Sequence, residues 1–311
     1  MDPVNRHLQA LVTTGTIPAK KATGPAAPPP KAQSAQQPGE GYEAGDGDHV
    51  PSLGLLLPSR GVAWAFAAQL SGNTWSWIKK IYPECEDNDS EAESCLYSAL
   101  GELAPPAFEH SNRVGQLATR FAQFLGLSQP ERRNLARAAR FKENGFVALQ
   151  MHLWTEEEKE EAAEAISLGG AFHDIGKIAV SRDILNKPGP LDAEERRLIE
   201  LHPLIGEALL SHIPSARPLL PIVRHHHEKW DGTGYVDGLA GESIPWQARI
   251  IAIVDSFDAM TEVRPYRGPL SDEQACNEIL RDRGKHFDPD LANKFVAMHG
   301  FPVPPMKKAA V

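Results

Sequence analysis

Phe172-His173-Asp174-Ile175-Gly176-Lys177 sets an imidazole beside a carboxylate, with an amine one helical turn further on. On a helix or a helix end, an adjacent His and Asp can both reach one metal ion. The two oxygens of Asp174 also allow it to bridge two ions. Lys177 follows His173 by four residues and shares its helix face. The pair closes a small apolar run, Leu168 to Phe172, where an unpartnered charge is costly. Taken alone it fits a surface ion pair as well as a metal site. More imidazoles and carboxylates recur downstream. His202 precedes Pro203, His225-His226-His227 form a run, and Asp255 follows the apolar stretch Ile250-Ile251-Ala252-Ile253-Val254. A buried carboxylate there needs a partner, and a metal is one. Imidazoles with carboxylates suit Fe, Mn, Zn or Ni. Two such ions about 3.5–4 Å apart would clamp a phosphodiester and activate a water. In Glu228-Lys229-Trp230-Asp231-Gly232-Thr233-Gly234-Tyr235, glycines flank Thr233 and make a tight loop. Arg264-Pro265-Tyr266-Arg267 offers two guanidinium groups suited to bidentate phosphate capture, although exposed arginines are usually only solvated.

The elements that must hold these residues read as helices. Val114, Leu117, Ala118, Phe121, Phe124 and Leu125 form an apolar stripe, with Gly126 where a helix stop belongs. Ser128 to Phe141 and Thr155 to Ile166 are also helical, and Thr155 with Glu158 matches a capping box. Leu191 to Leu210 reads as a helical pair interrupted at Pro203, and Arg249 to Met260 as an apolar helix. Alternating β-runs are few and no fixed-period repeat is present, so the ordered part is mainly α. Upstream, residues 1–58 are rich in Pro, Gly, Ala and Gln, and bury too little apolar surface to offset their ordering entropy. Order is expected to begin near Ser59. Val62, Trp64, Phe66, Leu70, Trp75, Trp77 and Ile78 give loose helical periodicity, better suited to the core of a small helical unit than to a docking face. Residues 84–109 carry eight acidic groups and no Lys or Arg, and read as a solvated helix face and loop, with docking of a basic partner as the alternative.

Composition narrows the function classes. The 311 residues hold 32 Lys+Arg against 41 Asp+Glu, a formal net charge of −9, which argues against a protein that coats long nucleic acids. With 41 % hydrophobic residues the chain can build a sizeable core. No apolar run approaches the roughly 20 residues of a membrane span, and Met1 to Thr16 lacks the layout of a signal peptide. Cys85, Cys95 and Cys276 have no metal-finger spacing and read as cytosolic thiols, so the expected location is cytoplasmic.

In their order along the chain, these motifs resemble the HD-GYP family, bacterial cyclic di-GMP phosphodiesterases within the HD metal-hydrolase superfamily. The resemblance rests on His173-Asp174-Ile175-Gly176-Lys177, His226-His227-Glu228, Asp231-Gly232-Thr233-Gly234-Tyr235, Asp255-Ser256-Phe257-Asp258-Ala259 and Arg264-Pro265-Tyr266-Arg267. Lys187-Pro188-Gly189-Pro190-Leu191, His202-Pro203-Leu204-Ile205-Gly206 and His286-Phe287-Asp288-Pro289 are similar to its connecting motifs. The match runs from about Ala107 to Gly300. It implies an all-α HD-type helical bundle around a two-metal site, over 106–300. A disordered tail (1–58) and a small helical region (59–105) would precede it, and a tail (301–311) would follow.

Carried over residue by residue, the resemblance implies His173, Asp174 and Asp255 on one metal. Asp174 would bridge to a second, completed by His202, His226 and His227. His110 matches the family's early ligand. Lys177 would contact the scissile phosphate, Tyr235 would face the substrate, and Arg264 and Arg267 would hold the other phosphate. His225 has no implied role and reads as structural. The implied activity is hydrolysis of cyclic di-GMP to linear pGpG, with pGpG or GMP as the end product, and with two divalent ions, Fe or Mn ahead of Ni or Zn. A diguanylate cyclase or another signalling protein, and a homodimer, are the implied protein partners. Three departures stand out. Pro106 replaces the Glu that three-metal members carry, so two ions are expected. Val236 replaces the Pro of the Gly-Tyr-Pro signature, a loop linked to partner docking. Residues near 141–154 look like a helical insertion between His110 and His173. A weakly active cyclic di-GMP receptor and a hydrolase of another cyclic dinucleotide remain as alternatives.

Overall fold

A computed structural model describes residues 60–82, 85, 88–127, 155–263 and 268–305. The expected tail over 1–58, the helix over 128–141, the insertion near 141–154, both Arg264 and Arg267, and the last residues from 306 onward lie outside the described residues. Among the described residues every regular element is helical, in agreement with the all-α expectation. In chain order they are α1 (Arg60–Ile81), α2 (Asp89–Leu103), α3 (Pro105–Phe124), α4 (Glu156–Phe172), a 3₁₀ segment (Ile175–Ala179), α5 (Arg182–Leu185), α6 (Ala193–Glu200), α7 (His202–Leu210), a second 3₁₀ segment (Pro214–Leu219), α8 (Leu220–His225), a third (Gly241–Ser243), α9 (Trp246–Thr261), α10 (Asp272–Arg281) and α11 (Pro289–Met298).

Local chemistry sets the boundaries. The Thr155 hydroxyl accepts from Glu158 N (3.2 Å), and the Glu158 carboxylate accepts from Thr155 N (2.7 Å), which closes the capping box that starts α4. Asp192 and Glu195 repeat the device at α6. The break between α6 and α7 falls at Leu201, and Pro203 sits in the first turn of α7, where its missing N–H has no intrahelical partner to lose. α3 stops at Gly126, whose φ of 88° is left-handed.

Two close backbone approaches then fix the geometry. At the α3–α4 crossing, a Cβ on Gly170 would lie 3.0 Å from Gly115 Cα. The helices therefore touch along their backbones, and the His110 and His173 rings meet edge-on at 5.2 Å. The first 3₁₀ segment presses on α7 still more tightly. A Cβ on Gly176 would lie 1.9 Å from His202 O and 2.7 Å from Gly206 N, so only glycine permits the contact that sets Asp174 beside His202.

Two apolar clusters support this arrangement. One joins Trp75 and Ile78 of α1, Leu96 and Leu100 of α2, Ile175 and Ile178, and Leu204, Ile205 and Leu209 of α7. The other joins Val114 and Phe121 of α3, Ile166 of α4, Ile250, Ile253 and Phe257 of α9, and Phe295 of α11. α1 and α2, read in the sequence as a region ahead of the domain, thus share a core with α7. Trp75 is buried and stacks on His212 with ring centroids 5.8 Å apart. The acidic stretch is solvated at Glu91, Glu102 and Glu109, as expected, but not at every carboxylate. Leu96 and Leu100 of α2 are fully buried, Asp89 accepts from Ser215 N (2.9 Å), and buried Glu93 accepts from Ser215 Oγ (2.8 Å). Its carboxylates cap the polar start of the Pro214–Leu219 segment. Burial pushes the Glu93 carboxyl up from its usual range, with the Ser215 bond partly opposing.

Candidate metal centre

Six elements converge on one pocket. His110 comes from α3, His173 closes α4, Asp174 opens the first 3₁₀ segment, His202 begins α7, His226 and His227 follow α8, and Asp255 comes from α9. Ligand atoms of Asp174, His202, His226 and His227 all lie within 4.8 Å of one another, and so do those of His110, His173 and Asp255. Asp174 touches both groups, with Oδ1 3.2 Å from His202 Nε2 and Oδ2 3.4 Å from His173 Nε2. His173, Asp174, His202 and His226 are each only 1 % exposed.

Ring orientation is set from behind. Nδ1 of His173 lies 2.8 Å from Gly170 O, Nδ1 of His202 2.7 Å from Ile199 O, and Nδ1 of His226 2.8 Å from Val223 O. A carbonyl only accepts, so each Nδ1 carries the proton and donates it. Each Nε2 then turns a bare lone pair inward. His202 Nε2 consequently faces His226 Nε2 at 3.2 Å, acceptor to acceptor, and faces the Asp174 carboxylate in the same way. His173 Nε2 and Asp174 Oδ1 are fully buried and have no hydrogen-bond partner. Buried acceptors crowded together without donors are expensive unless a cation lies among them. Nitrogen and carboxylate donors without a thiolate fit divalent Fe, Mn, Ni or Zn.

The charges agree with this reading. Burial holds His202 and His226 below the usual imidazole range, and pulls His227 down to about 3. His110 behaves differently. Burial would lower it, but hydrogen bonds to Asp255 (2.9 Å) and Asp258 (2.7 Å) outweigh burial and lift it to about 9. Set between these two carboxylates, the ring favours the imidazolium form. Burial opposes ionisation of Asp174, yet the Lys177 ammonium beside it holds it well below the carboxylate range.

The HD domain family matches residues 149–291. The chain is 40% identical over 147 residues to the cyclic di-GMP phosphodiesterase response regulator RpfG of Xanthomonas campestris pv. campestris, 47% of this chain and 38% of that protein. It is 35% identical over 193 residues to a cyclic di-GMP phosphodiesterase of Thermotoga maritima, 61% of this chain and 44% of that one. Residues 149–291 of this chain are an HD domain. The chain is also 39% identical over 170 residues to the 3'3'-cGAMP-specific phosphodiesterase 2 of Vibrio cholerae serotype O1, 51% of this chain and 32% of that protein. The chain therefore spans about a third to under half of the length of these curated relatives.

The structure gathers His110, His173, Asp174, His202, His226, His227 and Asp255 into one pocket, and all but His110 fall within the matched residues. Lys177 lies differently from the helical reading. In a 3₁₀ turn, three residues return to the same face, so Lys177 stands over Asp174 (Nζ to Oδ2, 2.5 Å) rather than over His173. Tyr235 stacks on His227 at 4.8 Å and donates its N–H to His227 O at 3.3 Å, and burial pushes its hydroxyl well above the usual range. Val236, in place of the motif Pro, is buried in the first apolar cluster. His225 turns away from the pocket, with Nδ1 3.6 Å from an Asp237 oxygen.

Sequence reasoning assigned no role to three residues that shape the pocket. Glu228 is buried, and its carboxylate accepts from Asp237 N (2.7 Å), Gly238 N (3.0 Å) and Leu239 N (3.1 Å), tying down the loop that carries Tyr235. Asp258 and Arg113 form a second carboxylate–guanidinium layer behind His110. Asp258 follows Asp255 by one helical turn inside an apolar helix, a readable signal. Arg113 gives none, because its partner is 145 residues away.

Proposed function

We propose that the chain is a metal-dependent phosphodiesterase that hydrolyses cyclic di-GMP to linear pGpG in the cytoplasm, using two divalent ions, Fe or Mn. The observation that carries this is the pair of ligand groups sharing Asp174, in which His173 Nε2 and Asp174 Oδ1 are buried with no hydrogen-bond partner. Relatives named as cyclic di-GMP phosphodiesterases support the substrate class. His110, His173 and Asp255 would hold one ion and His202, His226 and His227 the other, with Asp174 between them. Pro106 supports two ions rather than three.

Such ions, when bound, supply Lewis acidity toward phosphoryl oxygens and a hydroxide at neutral pH. The chain does the rest. Backbone carbonyls fix the three imidazoles, so the pocket needs little reorganisation. Lys177, held by Asp174 at the rim, offsets charge that develops on the scissile phosphate. Tyr235, braced on His227 and anchored through Glu228, lines the substrate side. Arg264 and Arg267 would grip the second phosphate. A signalling-protein partner such as a diguanylate cyclase, and a homodimer, belong to the same proposal. The burial of Val236 argues that this loop contributes little to docking.

A second reading is hydrolysis of 3'3'-cGAMP, supported by the Vibrio cholerae relative. Incubation of Mn²⁺- or Fe²⁺-loaded protein with each dinucleotide, followed by chromatography, separates the two. Linear pGpG formed fastest from cyclic di-GMP is expected. Faster turnover of 3'3'-cGAMP favours the second reading, and tight binding of cyclic di-GMP without product contradicts both.

A further inference from the structure

His173, His202 and His226 share a feature that His110 lacks. Each of the three follows a helix C-terminus, where the last carbonyls have no intrahelical partner and are free to accept an Nδ1–H three residues on. His110 is the sixth residue of the twenty-residue α3, and the carbonyls behind it belong to the helix ladder. A different acceptor must set its ring, and the structure supplies one. Asp258 Oδ2 lies 2.7 Å from His110 Nδ1, while Nε2 turns toward Asp255 and Asp174 at 2.9 and 3.9 Å.

We propose that Asp258, clamped by Arg113, is the positioning residue that fixes the proton of His110 on Nδ1 and aims Nε2 at the metal pocket. The inference rests on the reading of that pocket as a metal centre. Asp258 is buried, and neither of its oxygens is free to turn. Oδ1 accepts from Arg113 Nε (2.9 Å), and Oδ2 accepts from Arg113 Nη2 (3.0 Å) as well as from His110. Arg113 is itself braced by Glu262, with Nη2 2.6 Å from Oε1. His110 and Arg113, one turn apart on α3, thus face Asp255 and Asp258, one turn apart on α9, and Glu262, which caps that helix. Carboxylates behind a ligating histidine fix its tautomer and strengthen it as a ligand.

Asp258→Asn tests the role, because an amide has only one acceptor oxygen. Turned one way, its NH₂ faces His110 and forces the proton onto Nε2, against the ion. Turned the other way, the NH₂ opposes the Arg113 fork. Binding of Mn²⁺ to wild type, Asp258→Asn and the distant control Glu93→Gln is measured by equilibrium dialysis with metal analysis. Visible spectra of the Co²⁺-loaded proteins and thermal melts are recorded alongside. The expected result is that Asp258→Asn weakens one of the two Mn²⁺ ions by about 10- to 100-fold. The Co²⁺ spectrum should shift, and the control should match wild type in both. A folded Asp258→Asn with wild-type Mn²⁺ affinity and Co²⁺ spectrum, whatever its melting temperature, overturns the inference. If that variant fails to melt cooperatively, Arg113→Gln carries the test, since the Arg113 side chain is 39 % exposed and tolerates replacement. Weaker binding of one ion supports the role, and unchanged binding overturns it. Wild-type protein that holds neither Mn²⁺ nor Co²⁺ would overturn the metal reading, and the positioning role with it.

Discussion

Gly176 is where fold and chemistry depend on one absent atom. In Gly176→Ala the new Cβ would start 1.9 Å from His202 O and 2.7 Å from Gly206 N, both backbone atoms of a buried helix. Ordinary contact begins near 3.4 Å, so the 3₁₀ segment and α7 must part by about 1.5 Å in a close-packed interior. Overpacking of this kind costs about 1–3 kcal/mol, and backbone against backbone belongs at the upper end. The functional loss should be larger. Asp174 and Lys177 ride on the 3₁₀ segment and His202 on α7, so separation pulls apart the two groups that Asp174 joins. Misplacement by about 1 Å lowers turnover about 100-fold. The assay measures bound metal per chain, melting temperature, and turnover of cyclic di-GMP on one preparation. Expected are a lower melting temperature, less than two ions per chain, and a turnover loss of about two orders of magnitude. Wild-type melting and metal content in Gly176→Ala would refute the close-approach argument, because the contact would then not be one that only glycine permits.

The paired change His173→Ala with Asp174→Ala removes a ligand from each group and should abolish both metal retention and turnover. Activity that survives it means the site is elsewhere. Glu93→Gln tests the acidic helix. The folded-state pKa of Glu93 is raised, so its contribution to stability is full below the unfolded value near 4.5 and is lost as pH rises through the folded value. Glu93→Gln should therefore melt above wild type at pH 7, with the gap closing near pH 4. A gap that widens on acidification contradicts the burial argument. Trp75→Ala, in the cluster shared by α1, α2 and α7, should cost about 3–5 kcal/mol in urea unfolding, within a single transition. A separate early transition would show that α1 and α2 fold as their own unit.

Features that depend on neighbours in the chain were legible in the sequence. The capping box at Thr155 and Glu158, the stop at Gly126 and the apolar helix carrying Asp255 each follow from spacing within one or two turns. The His and Asp residues stood out because charge in apolar surroundings needs a partner. Contacts between distant segments left little trace. Arg113 meets Asp258 across 145 residues, and the helical period of α2 does not disclose that Glu93 is spent on Ser215. Lys177 was assigned to the wrong neighbour because a 3₁₀ turn and an α turn differ by less than a residue, which a six-residue motif does not resolve. Val236 read as a loop substitution, but its burial depends on the core formed by α1, α2 and α7.

The account rests on two ions held in one pocket that act on a cyclic dinucleotide. Its most direct test is turnover of cyclic di-GMP by Mn²⁺- or Fe²⁺-reconstituted protein under reducing conditions, with metal content measured on the same sample. The expected result is two ions per chain and steady release of pGpG, lost when the metal is removed. Protein that holds two ions per chain yet forms neither pGpG nor GMP would contradict it.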